Sequence, residues 1–170
     1  MNALAKKIPT AFGLMLFAVI LTNVSSCGFK LRGDYLIPAQ LKSLYVSSVD
    51  AHGELTRLVK KHLKTNQINI IKTPNDETPE LRILKDKLDR RTLSVFDNGQ
   101  VAEYEIIYTV NYLLRLPNTK AQNFSFDLNR DYQDDPDNAL AKSRELSLML
   151  SEMRSEAADK ILRDLASIKL

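Results

Sequence analysis

The chain has one cysteine, two histidines, five glycines and no tryptophan among 170 residues. A lone thiol at Cys27 cannot close an intramolecular disulfide, so no disulfide framework holds this fold. His52 and His62 are too few for a histidine-rich metal site, and the scattered glycines form no phosphate-cradling loop. Neither a Gly-x-Ser-x-Gly elbow nor a His-Glu-x-x-His helix is present. With no nucleophile beside a base, no tuned carboxylate pair and no metal set, the residues point away from an enzyme and call for no cofactor. A surplus of one charge sign is missing as well. Lys and Arg total 24 against 21 Asp and Glu, and Lys6 and Lys7 fall in the first 26 residues, which hold no acid. The remaining 22 against 21 exclude the basic signature of a nucleic-acid partner.

Only one long apolar run occurs, from Ala11 to Val24. At about 14 residues it is short of the roughly 20 that span a bilayer. Preceded by Lys6 and Lys7 and followed by Ser25 and Ser26, it has the three parts of a secretory signal. The run Val24-Ser25-Ser26-Cys27 resembles a bacterial lipobox, in which the cysteine receives diacylglycerol before cleavage. Residues 1–26 are therefore expected to be removed, leaving a lipidated mature chain, 27–170, as one domain. Each buried acyl methylene contributes about 0.8 kcal/mol of membrane affinity, so several chains anchor it stably. Gly28, where an acid would resemble an inner-membrane retention signal, favours the outer membrane.

Along the mature chain, alternation predicts a strand at about 43–49, and Leu55, Leu58, Val59, His62 and Leu63 predict a helix over Glu54–Thr65. Ile68 to Lys72 reads as a short apolar run and a candidate brief strand. Glu80 to Phe96 is extended, with a parity change that predicts a bulge or break near Asp89. Asp97-Asn98-Gly99 predicts a hairpin with a type I′ turn. Next, Ala102, Tyr104, Ile106, Tyr108, Val110 and Tyr112 share one parity, and Phe124, Phe126 and Leu128 alternate in a last strand to about 132. Asp135-Pro136-Asp137 is a helix start, with the acid as cap and proline in the first turn. About 30 residues follow with Leu146, Met149, Leu150, Met153, Ala157, Ile161 and Ile168 in one stripe. Leu148 and Leu162 fall outside that stripe and mark a candidate second partner surface. The expected fold is an α+β two-layer sandwich, two helices on one face of a small, mostly antiparallel sheet.

Topology then brings the hairpin tip, the end of the last strand near Tyr132 and the start of the last helix to one edge. Lys142, about 9 Å along that helix at 1.5 Å per residue, is expected to share a surface with Arg90, Arg91 and Arg130. Such cations suit phosphates, Arg by bidentate contacts and Lys as a point charge. The acids Asp127, Asp131, Asp134, Asp135 and Asp137 lack the spacing of an EF-hand and read as caps and solvated loop.

Cys27-Gly28-Phe29-Lys30-Leu31-Arg32, Ser94-Val95-Phe96 before Asn98-Gly99-Gln100, Ala102-Glu103-Tyr104, Ala139-Leu140-Ala141-Lys142 and Glu152-Met153-Arg154 together resemble the LptE family of lipopolysaccharide-assembly lipoproteins. The resemblance implies a mixed four-stranded sheet with two helices, lodged as a plug in the LptD outer-membrane β-barrel. It also implies a role in assembling that barrel and passing lipopolysaccharide to the cell surface. For site residues it implies lipopolysaccharide binding by Lys142 and by a basic residue just before the Asn-Gly turn. That second position holds Asp97 here, so Arg90 or Arg91 is expected to supply the missing charge. The competing reading is a stand-alone periplasmic lipoprotein that binds lipids or anions without a barrel partner.

Overall fold

The computed structural model describes residues 36–168; the expected leader, the lipobox and Cys27 lie outside them. The elements are β1 (Ser43–Ser48), α1 (Glu54–Thr65), β2 (Asn69–Ile71), β3 (Glu80–Val95), β4 (Val101–Arg115), β5 (Gln122–Gln133) and α2 (Ala139–Ser167). The sheet runs β2-β1-β3-β4-β5, with β1 parallel to both neighbours and β3, β4 and β5 antiparallel. It has five strands where four were expected. The additional one is β2, only three residues long, too short for alternation to reveal and placed by its parallel pairing with β1.

The α+β sandwich expected from sequence is present. On β4 the even residues Ile106, Tyr108, Val110, Tyr112 and Leu114 are buried, meeting Leu55, Val59 and Leu63 of α1 and Met153, Ala157 and Ile161 of α2 in one core. Burying each large aliphatic side chain contributes about 1.5–3 kcal/mol. Buried phenols need partners, and these have them: Tyr108 donates to Asp86 at 2.7 Å and Tyr112 to Asp164 at 2.8 Å. Burial pushes both phenol pKa values up, with the adjacent carboxylates adding to it. Among the described residues the opposite face of the sheet carries no helix and is largely polar. Ser94 and Gln133 both donate to Glu103, while Arg91 and Asn129 both hold Glu105.

The parity change in β3 is real but lies five residues earlier than expected. Leu84 is the unpaired residue, since Ile83 pairs with Tyr112 and Lys85 with Asn111. After this bulge the even residues Asp86, Leu88, Arg90 and Thr92 stand opposite the helix-facing residues of β4. One inserted residue thus exchanges the faces of the stretch that follows, up to the next register shift after Thr92. The hairpin also differs in detail. Gly99 alone is left-handed, at φ 81°, and its N–H bonds to the Phe96 carbonyl at 2.9 Å. A type I′ turn needs two left-handed residues, so this is the longer loop closed by a glycine bulge.

At the start of α2, Asp135 accepts from the Asp137 N–H at 3.0 Å and from the Asn138 side chain at 2.6 Å, across a single 3₁₀ turn at Pro136–Asn138. These bonds hold its carboxyl pKa below the ordinary value, the Asn138 contact first. The 29 residues of α2 extend about 43 Å. Its second half packs against both the sheet and α1, with Arg154 on Glu54 at 2.8 Å and His62 on Asp159 at 2.7 Å. A helix held on two sides needs two apolar stripes. Leu162, expected to be free for a partner, is therefore fully buried beside Ala158 and Leu165. Leu148, in the half that outruns α1, is 62% exposed. No helix among the described residues is long and apolar enough to cross a membrane.

A candidate anion-binding site on paired tyrosines

The bulge at Leu84 decides which arginine faces which way. Arg90 stands opposite Ile106, which on its other side stands opposite Arg130, so one rung across the helix-facing side reads Arg90-Ile106-Arg130. The next rung toward the hairpin pairs Tyr104 directly with Tyr132. The Arg90 guanidinium lies 5.1 Å from the Tyr104 ring centre, and the Lys142 ammonium lies 5.2 Å from that of Tyr132. Two neighbouring rings therefore each seat a cation, an attraction of about 0.5–1 kcal/mol apiece at exposed sites.

Tyr132 holds Lys142 in a second way, donating its hydroxyl to the Lys142 backbone carbonyl at 2.9 Å. That bond ties the first turns of α2 to the end of β5. The Lys142 side chain is 19% exposed and pairs with Glu145 at 2.9 Å, a contact that raises the ammonium pKa. Arg130 pairs with Glu156 of α2. Arg90 has no ion pair among the described residues and is exposed. Arg91 is on the other face, held by Glu105 at 2.6 Å. Three of the four expected cations thus share one surface, and Arg91 is separated from them by the thickness of the sheet.

Beside Lys142, between the hairpin tip and the β5–α2 connection, is a cleft of about 800 Å³. Its lining includes Asp97, Asp134, Asp135 and Asp137, four carboxylates against the single ammonium of Lys142. The sequence-based expectation that the hairpin tip and helix start meet is fulfilled here. Asp97 adds to the acid of the cleft, which leaves the tyrosine side, where Arg90 lies, as the more cationic approach to Lys142. Among the described residues no cluster of histidine, cysteine or acid is arranged to hold a metal ion.

From sequence, Tyr104 reads only as one of a strand's same-parity residues and Tyr132 only as the end of the last strand. Their spacing carried the signal, because each lies two residues from the rung that carries Arg90 and Arg130, the distance between neighbours on one face of a strand.

The LptE lipopolysaccharide-assembly family model matches residues 41–165. The LPS-assembly lipoprotein LptE of Pectobacterium atrosepticum is 36% identical over 152 residues, 89% of this chain and 82% of that protein. That of Photorhabdus laumondii is 33% identical over 155 residues, 91% of this chain and 84% of its own. Among solved structures, the rare lipoprotein B from Shewanella oneidensis aligns with a TM-score of 0.69 at 48% identity, covering 74% of this chain and 94% of that one. A lipoprotein B from Nitrosomonas europaea, 23% identical, shares the fold with a TM-score of 0.61 over 82% of this chain and 91% of its own. A match over most of the described residues, with relatives above 30% identity along nearly the whole chain, makes this protein a member of the LptE family of lipopolysaccharide-assembly proteins.

Proposed function

We propose that the mature chain, lipidated at Cys27, is an outer-membrane lipoprotein that acts by binding and catalyses nothing. It forms a plug within the LptD β-barrel, assists that barrel's assembly, and helps deliver lipopolysaccharide to the outer leaflet. The names of its relatives and the family membership support the lipopolysaccharide role. The polar, helix-free face of the sheet supports the plug, because the interior of an outer-membrane barrel is itself polar and wet.

The observation that carries the binding role is the tyrosine pair. Arg90 and Lys142 are seated side by side on Tyr104 and Tyr132, with Arg130 one rung away. Together they suit the phosphates of lipopolysaccharide, Arg90 by a bidentate contact and Lys142 as a point charge. Arg90 takes the part of the basic residue missing at Asp97, and Arg91, on the far face, does not contribute.

The test is lipopolysaccharide binding by the purified mature chain at fixed ionic strength. Arg90→Ala is expected to weaken it by about tenfold, the lower range for a charge-assisted contact at an exposed group. Lys142→Ala is expected to weaken it too, and Arg91→Ala to leave it within about twofold. An Arg91→Ala loss equal to that of Arg90→Ala would overturn the assignment.

A further inference from the structure

Besides the three-residue edge strand β2, the sheet has two long free borders among the described residues, and they are built differently. Beyond Ile83, β3 loses its neighbour β1, and Lys85 to Val95 form an unpaired edge among the described residues. That edge is guarded. It carries Lys85, Lys87, Arg90 and Arg91 and is broken by register shifts at Leu84, between Thr92 and Ser94, and again before Val95. Lysines and bulges are the usual means of keeping a foreign strand off an edge.

The other border, β5, carries fewer of these guards: Arg130, on the helix-facing side and paired with Glu156, is its one basic residue. All twelve residues from Gln122 to Gln133 pair with β4 in unbroken register, with no lysine, proline or bulge. Its outer N–H and C=O groups have no strand partner among the described residues. On the helix-facing side Phe124, Phe126 and Leu128 are only half-buried. On the polar side Asp127 and Asp131 are exposed and make no ion pair among the described residues, and Asp131 stands directly opposite Glu105. The border therefore offers a regular backbone ladder, an apolar row on one face and an acidic row on the other.

We infer that β5 receives an added strand from the barrel partner, and this rests on the plug reading above. The added segment is extended, with apolar side chains at alternate positions against Phe124, Phe126 and Leu128 and Lys or Arg between them against Asp127 and Asp131. Backbone hydrogen bonds supply the attraction and the alternate side chains the specificity. A closed barrel has no free strand edge, so the segment comes from one of its loops or terminal tails.

The test uses the full-length lipidated chain in cells, tagged, with a photoreactive residue at exposed Ser125 of β5 or at Lys87 of β3, followed by extraction and mass spectrometry. Ser125 is expected to give a cross-link to a loop or tail of the barrel with the alternating pattern, at least tenfold more than Lys87. Asp127→Lys with Asp131→Lys is expected to cut the Ser125 product at least fivefold. A barrel that co-isolates with the tagged chain but cross-links equally from Lys87, or not from Ser125, overturns the strand addition and leaves the plug reading standing. A barrel that does not co-isolate at all overturns both.

Discussion

Replacing Leu162 by alanine removes a side chain with no solvent exposure from the seam between α2, α1 and the sheet. Ala158, Leu162 and Leu165 continue the line of Arg154, whose guanidinium reaches Glu54 at the start of α1. Two rigid elements held at either end of that seam, by the Arg154–Glu54 ion pair and the His62–Asp159 hydrogen bond, leave little freedom to collapse into the space. The penalty therefore belongs in the middle of the range for buried Leu→Ala, about 3 kcal/mol. For a chain of this length that lowers the melting temperature by about 6–12 °C. Leu148→Ala, at a position 62% exposed, is expected to stay within about 0.5 kcal/mol. Thermal and urea unfolding of the two variants, followed by circular dichroism, measures both. Equal and small effects would refute the assignment of Leu162 to the core and return it to the surface, where the helical stripe alone had put it.

Other consequences follow from single contacts. Tyr132→Phe keeps the ring under Lys142 but removes the hydroxyl bond to its carbonyl; amide exchange in the first turns of α2 should quicken while the rest of the helix keeps its protection. Gly99→Ala has open space for its Cβ but a left-handed backbone, so it should destabilise by about 1 kcal/mol through conformation alone, as read by denaturant midpoint. The Ser47 hydroxyl, 2.6 Å from Glu80, is the main cause of that carboxyl's lowered pKa, with Arg115 assisting. A depressed folded pKa stabilises above the unfolded value and is lost as pH falls through the folded one. Ser47→Ala should therefore raise the Glu80 pKa in an NMR titration, and its stability penalty at neutral pH should shrink in acid.

How far the sequence could be read depended on whether a local pattern met a single physical constraint. α1 was legible to the residue, Glu54–Thr65, because its buried apolar residues form one stripe at helical spacing. β4 and β5 were legible because each has one wet face and one covered face. The stripe rule failed on the second half of α2, which serves two neighbours, and so it misplaced Leu162. β2 was legible only as a short apolar run and candidate brief strand, since three residues hold too few positions for a period to show. The most consequential miss was the bulge. A shift near Asp89 and one at Leu84 fit the same alternation of apolar residues, but only the second fixes the faces of Lys85 to Thr92, Arg90 and Arg91 among them. Sequence alone therefore left Arg90 and Arg91 equivalent. The register with β4 separates them, putting Arg90 over Tyr104 and Arg91 against Glu105.

The most direct measurement is native mass spectrometry of the tagged chain released from outer membranes in mild detergent. A particle containing one acylated chain, beginning at Cys27, and one LptD barrel is the predicted result. An acylated chain recovered by itself would mark a stand-alone binding lipoprotein and contradict the plug.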